Sequence, residues 1–101
     1  MYVGICKIFF FFPDTSSLKE KRVKINSIKS RIRNKYNVSI AEIDYHDFWQ
    51  KALIGIVSVS NDHKYLTKVF DQIIKDIEKL DYGYINDYFL EFISIKELGK
   101  L

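Results

Sequence analysis

Val38-Ser39-Ile40-Ala41-Glu42-Ile43-Asp44-Tyr45 and Ala52-Leu53-Ile54-Gly55-Ile56-Val57-Ser58-Val59 are two strand-like runs separated only by His46-Asp47-Phe48-Trp49-Gln50-Lys51. β-Branched residues recur through both runs. A link this short joins neighbouring antiparallel strands, because a parallel pair needs a crossover of about a dozen residues or more. A hairpin at the middle of the chain limits what the flanking segments can be.

Upstream, Tyr2 to Phe12 is dominated by aromatic and β-branched residues and stops at Pro13-Asp14-Thr15-Ser16, the pattern of a strand and its terminator. Ser17-Leu18-Lys19-Glu20 has the spacing of a capping box, in which the Ser17 hydroxyl accepts the Glu20 N–H and the Glu20 carboxylate reaches back to the Ser17 N–H. Leu18, Ile25, Ile28, Ile32 and Tyr36 then recur at helical spacing, predicting a helix that ends near Asn34–Asn37. Downstream, Ser60-Asn61-Asp62 supplies a cap and a carboxylate for the positive end of a second helix. The stripe of that helix, Leu66, Phe70, Ile73, Ile77 and Leu80, steps by four, three, four and three residues. Asp81-Tyr82-Gly83 breaks it, and Tyr84 to Ile95 reads as a last strand. The order β-α-β-β-α-β predicts an α+β, ferredoxin-like sandwich: two helices on one face of a four-stranded antiparallel sheet, with the first and third strands central. Residues 1–96 form this single domain and 97–101 a C-terminal tail.

Composition narrows the class of function. With 48% hydrophobic and 29% charged residues the chain is neither disordered nor membrane-spanning. The longest apolar run, Ile8 to Phe12, is far short of the ~20 residues a spanning helix requires. The start lacks a secretion signal, and the single cysteine, Cys6, cannot staple the domain, so a reducing, cytoplasmic setting is expected. Net charge is +3, but its distribution is uneven. Lys19, Lys21, Arg22, Lys24, Lys29, Arg31, Arg33 and Lys35 face one acid, Glu20, so this segment carries +7 and the remainder −4.

Several segments resemble the YlxP-like proteins, small bacterial proteins of unassigned biochemical function. These are Ser17-Leu18-Lys19-Glu20-Lys21-Arg22, Asn37-Val38-Ser39-Ile40-Ala41-Glu42-Ile43-Asp44, Asp47-Phe48-Trp49-Gln50-Lys51-Ala52 and Val59-Ser60-Asn61-Asp62. The likeness runs in order along nearly the whole chain. It implies a ferredoxin-like fold, a gene often placed among those for translation initiation and ribosome maturation, and no agreed catalytic residues. Phe9 and Phe11 depart from it, standing where relatives tend to carry polar or charged residues.

Two surfaces are candidate sites. Projected at 100° per residue, the first helix carries two basic ridges beside its apolar stripe. Arg22, Lys29 and Arg33 lie on one side, with Lys19 and Asn26 beyond; Lys24, Arg31 and Lys35 lie on the other. Such ridges suit a phosphate backbone, which points to RNA or a ribosomal particle as partner. The alternative is a solvated helix whose long basic stems cover the core edge. If Cys6, Ile8, Phe10 and Phe12 face the helices, Ile5, Phe9 and Phe11 face away. The third strand is expected to turn Leu53, Gly55, Val57 and Val59 inward and to leave Ile54 and Ile56 out. An open face bearing Ile5, Phe9, Phe11, Ile54 and Ile56 is too apolar for water and predicts a homodimer or partner interface. The third strand has no aromatic residue, so base stacking on the sheet is disfavoured.

Other chemistry is not expected. Asp44, His46 and Asp47 flank the sole tryptophan, but His63 is the only other histidine, and no standard zinc spacing exists. Trp49 is expected to plug a core edge, and the polar residues around it to satisfy hairpin backbone groups. The loop Phe12 to Ser17 lacks the phosphate-cradling arginine of small acylphosphatases, and four glycines form no phosphate loop. Cys6 is expected as a small buried thiol. The reading is therefore a non-enzymatic protein without metal, cofactor, membrane contact or small-molecule substrate.

Overall fold

The computed structural model describes residues 1–96; the expected tail, 97–101, lies outside them. The chain runs β1 (Tyr2–Phe11), α1 (Leu18–Lys35), β2 (Ser39–Asp44), β3 (Lys51–Ser60), α2 (His63–Lys79) and β4 (Tyr84–Ser94). The strands form one sheet in the order β2-β3-β1-β4, every neighbour antiparallel. This is the ferredoxin-like βαββαβ sandwich, with β1 and β3 central.

Each helix is capped by its own sequence. The Ser17 hydroxyl accepts the Glu20 N–H at 3.1 Å. The reciprocal half of the expected capping box is shifted by one residue: the Glu20 carboxylate accepts from the Ser16 N–H at 3.0 Å and the Ser16 hydroxyl at 2.9 Å, not from Ser17. Those bonds hold the Glu20 carboxyl below its ordinary range. Asp62 caps α2 by accepting from the Lys64 and Tyr65 N–H groups.

The core lies between the helices and one sheet face. From β1 it takes Cys6, Ile8 and Phe10, with Phe12 just beyond; from α2, Leu66, Phe70, Ile73, Ile74 and Ile77. A side chain on Gly4 would meet the Phe70 ring at 2.6 Å, so α2 crosses β1 at the one position without a Cβ. Burial drives the Cys6 thiol pKa up to about 12, which keeps it protonated and unreactive.

The expected facing of β3 is reversed. Cys6 lies opposite Ile56 and Ile8 opposite Ile54 in the β1–β3 register. Residues directly opposite share a face, so Ile54 and Ile56 are fully buried under the helices with Ala52. Leu53, Gly55, Val57 and Val59 occupy the open face instead. A register offset of one residue exchanges every side chain between faces, and alternation within a strand cannot decide it alone.

Candidate nucleic-acid interface

α1 lies nearest β2, whereas α2 packs over β1, β3 and β4. α1 therefore overhangs one edge of the sheet, and its two basic ridges look in different directions.

The ridge toward α2 is largely occupied. Lys35 pairs with Asp76 of α2 at 2.8 Å, and the Tyr36 hydroxyl donates to the same carboxylate. The hydrogen bonds from Lys35 and then Tyr36 pull the Asp76 pKa down to about 2, and the ammonium of Lys35 is correspondingly favoured. The Lys24 ammonium donates to the Thr15 hydroxyl at 3.0 Å and sits 5.8 Å from the centre of the Phe12 ring. Arg31 Nε donates to the Ser27 hydroxyl at 3.4 Å.

The outer ridge differs. Arg33 donates to the Ile40 carbonyl at 3.0 Å, which seats its guanidinium along the edge of β2 without neutralising it. Lys19, Arg22 and Lys29 have no ion pair among the described residues, where Lys21–Glu42 and Lys35–Asp76 are the two present. Glu20 projects from the opposite side of the helix and is engaged by Ser16. The outer ridge is thus a row of cations without an ion pair among the described residues.

Lys21, counted among the basic residues of the segment, is not on the surface at all. It is 1% exposed; its ammonium donates to the Tyr45 carbonyl at 2.6 Å and lies 2.8 Å from Glu42 Oε2. That oxygen is shielded from solvent and has no well-directed hydrogen bond, so the contact is chiefly Coulombic. The signal was present in the spacing: the apolar stripe skips from Leu18 to Ile25, and position 21 fills the missing turn.

The open sheet face carries Ile5, Phe9 and Phe11 as expected, all partly exposed. Around them, in place of Ile54 and Ile56, stand Leu53, Val57, Val59, Phe89 and Ile93. Lys7 lies at its centre opposite Phe89, with Glu91 and Asp87 at the two flanking positions of β4. The depression between Lys7, Ile5, Phe89 and Glu91 measures about 340 Å³.

Trp49 does not plug the core. It is 54% exposed and Phe48 is 52% exposed, both on the β2–β3 loop. Among the described residues no group of three or more His, Cys, Asp or Glu is placed to hold a metal ion, and no helix is long and apolar enough to cross a membrane.

Comparison with known proteins identifies the family. A de novo designed protein, Foldit4, superposes with a TM-score of 0.56 at 14% identity, covering 95% of this chain and 100% of that one. A second designed protein, LFR1 1 with ferredoxin fold, gives 0.42 at 13% identity over 100% of this chain and 90% of its own. The uncharacterized protein YlxP of Bacillus subtilis (strain 168) is 37% identical over 76 residues, 75% of this chain and 83% of that protein. Residues 3–88 match the model of the DUF503 family, proteins of unknown function. On that match, and on its likeness to YlxP, the chain belongs to the YlxP-like DUF503 family.

Proposed function

We propose that this protein is a non-enzymatic, cytoplasmic accessory protein that binds RNA, free or within a ribosomal particle, through the outer ridge of α1. The observation that carries the reading is the row Lys19, Arg22, Lys29 and Arg33, none of them in an ion pair among the described residues, on the helix that lies nearest β2. Each cation that meets a phosphate releases a condensed counterion, so affinity is gained chiefly through the entropy of released salt. The same chemistry carries little sequence preference.

The test is binding of a structured RNA across a salt series. Four phosphate contacts give a log–log slope of about −3 against salt concentration, and Arg22→Glu with Lys29→Glu flattens it by about one per lost contact. An unchanged slope in that double variant, or no binding at low salt, rejects the proposal.

A second reading concerns the open sheet face, with a second copy of this chain as its occupant. Lys7 has no ion pair among the described residues, and it is surrounded by apolar side chains with Glu91 and Asp87 nearby on the same face. That pattern is self-complementary: a two-fold contact sets Lys7 of one copy against the β4 acids of the other while covering Phe9 and Phe89. Light scattering should report a dimer that Phe9→Asp dissociates. A monomer at high micromolar concentration removes this reading and leaves the first intact.

A further inference from the structure

The β2–β3 loop combines features that packing alone does not explain. It exposes the two large aromatic rings of Phe48 and Trp49, yet it is pinned by hydrogen bonds at both ends. The Gln50 carbonyl accepts from the Phe12 N–H at 2.8 Å, and the Gln50 amide donates to the carbonyls of Pro13 at 3.0 Å and Thr15 at 3.3 Å. At the other end Phe48 N–H donates to the Tyr45 carbonyl at 3.0 Å, and the buried Lys21 ammonium donates to that same carbonyl. Tyr45 itself is held at φ 65°, in the left-handed region that a bulky side chain seldom enters. A slack loop would let its rings fold back onto the sheet. Here a fixed backbone holds them out.

The rings are also individually posed. Phe48 meets the Tyr45 ring edge-on at 5.5 Å, and the Lys51 ammonium lies 5.7 Å from its centre. No ring or ammonium among the described residues is seated on Trp49. The bond from Lys21 ties this loop to the first turns of α1, the end of the helix that carries Lys19 and Arg22.

We propose that the Phe48–Trp49 loop is a stacking platform for unpaired RNA bases, continuous with the cationic ridge that holds the phosphates. The inference rests on the RNA reading above and names its substrate class: single-stranded or looped-out RNA rather than a perfect duplex. Stacking needs an open base face, which a duplex withholds. Acids divide the labour. Asp47 is exposed on this loop, and Asp44 is turned back onto the Tyr45 N–H. Phosphates are therefore better met by the helix and bases by the loop.

Trp49 is the only tryptophan, so its fluorescence reads the platform directly. Labelled single-stranded oligouridylate and a blunt RNA duplex of equal length are titrated at low salt, following label anisotropy and tryptophan emission together. The single strand should bind and quench Trp49, while the duplex should leave its emission unchanged. Loss of one stacked ring corresponds to roughly five- to hundred-fold weaker binding, so Phe48→Ala and Trp49→Ala should fall in that range and Trp49→Phe should keep most of the affinity. Both side chains lie outside the core, and thermal melting checks that each variant folds. Anisotropic binding with unchanged tryptophan emission and wild-type affinity in Phe48→Ala overturns the platform and spares the ridge; that outcome reassigns the rings to a protein partner. Absence of binding to either RNA overturns both.

Discussion

α1 and α2 are nearly equal in length and lie on the same side of the same sheet, yet they are built for different purposes. The buried stripe of α2 is wholly apolar: Leu66, Phe70, Ile73, Ile74 and Ile77. Its outer face mixes Lys64, Lys68, Lys75 and Lys79 with Asp71, Asp76 and Glu78, so four cations meet three acids and charge is nearly balanced along it. α1 buries Ile25, Ile28 and Ile32 together with a lysine, and almost everything else it displays is basic or neutral. A helix needed only for the core requires no such surplus, since unbalanced like charges along one helix repel. The contrast places the larger apolar share of the core on α2 and is the basis for proposing α1 as the recognition element.

Several measurements would break or sharpen that contrast. The largest effect is expected at the centre of α2. Phe70 is fully buried against Gly4, and Phe70→Ala should cost about 3–5 kcal/mol in urea denaturation. A cost below 1 kcal/mol would mean that α2 is not the main anchor.

Next comes the buried pair beneath α1. Lys21→Met strands the Glu42 carboxylate and should destabilise by about 3 kcal/mol, whereas Lys21→Met with Glu42→Leu should recover most of it. Failure of the double variant to recover would show that the ammonium's bond to the Tyr45 carbonyl, not the ion pair, holds the hairpin.

A smaller effect joins the two helices. Asp76 has a folded-state pKa of about 2 against an ordinary 3.8, set chiefly by its hydrogen bond from Lys35. A carboxyl depressed in the folded state adds stability that is present above the unfolded value and lost as pH falls through the folded one. Unfolding followed between pH 5 and pH 2 should therefore show a loss that Asp76→Asn reduces, the remainder coming from other depressed carboxyls such as Glu20. The Asp76 share should be about 1 kcal/mol, because Lys35 is largely exposed and solvent screens the pair. The smallest effect belongs to the outer ridge: Arg22→Glu with Lys29→Glu should change stability by less than about 0.5 kcal/mol while altering RNA binding. A marked loss of stability there would make the ridge part of the fold rather than a free surface.

Element order was legible because each signal is local. Ser17 and Asp62 mark helix starts through hydroxyl and carboxylate acceptors, and the α2 stripe repeats at helical spacing without interruption. The outward facing of Ile5, Phe9 and Phe11 was legible as well. The facing of β3 was not: Ala52 to Val59 is apolar on both sides, so no alternation marks the inner one. Trp49 was misplaced for a related reason, since hydrophobicity predicts burial only where a cavity exists to receive the ring. Lys21 enters the sequence reading only as one of the segment's charges and belongs to neither ridge; its burial was not legible because lysine seldom lies in a core and only an acid from another strand makes that position tolerable.

Taken alone, the chain's sequence determined the βαββαβ order, the central place of β1 and β3, and the concentration of positive charge on α1, all consequences of short-range pattern and chain connectivity. The tertiary structure decided which cations are spent on Glu42 and Asp76, which strand residues meet across the β1–β3 register, and which aromatics the β2–β3 loop leaves in solvent. Those outcomes depend on partners distant in sequence, and pairing across such distances is set by packing geometry that no local pattern encodes.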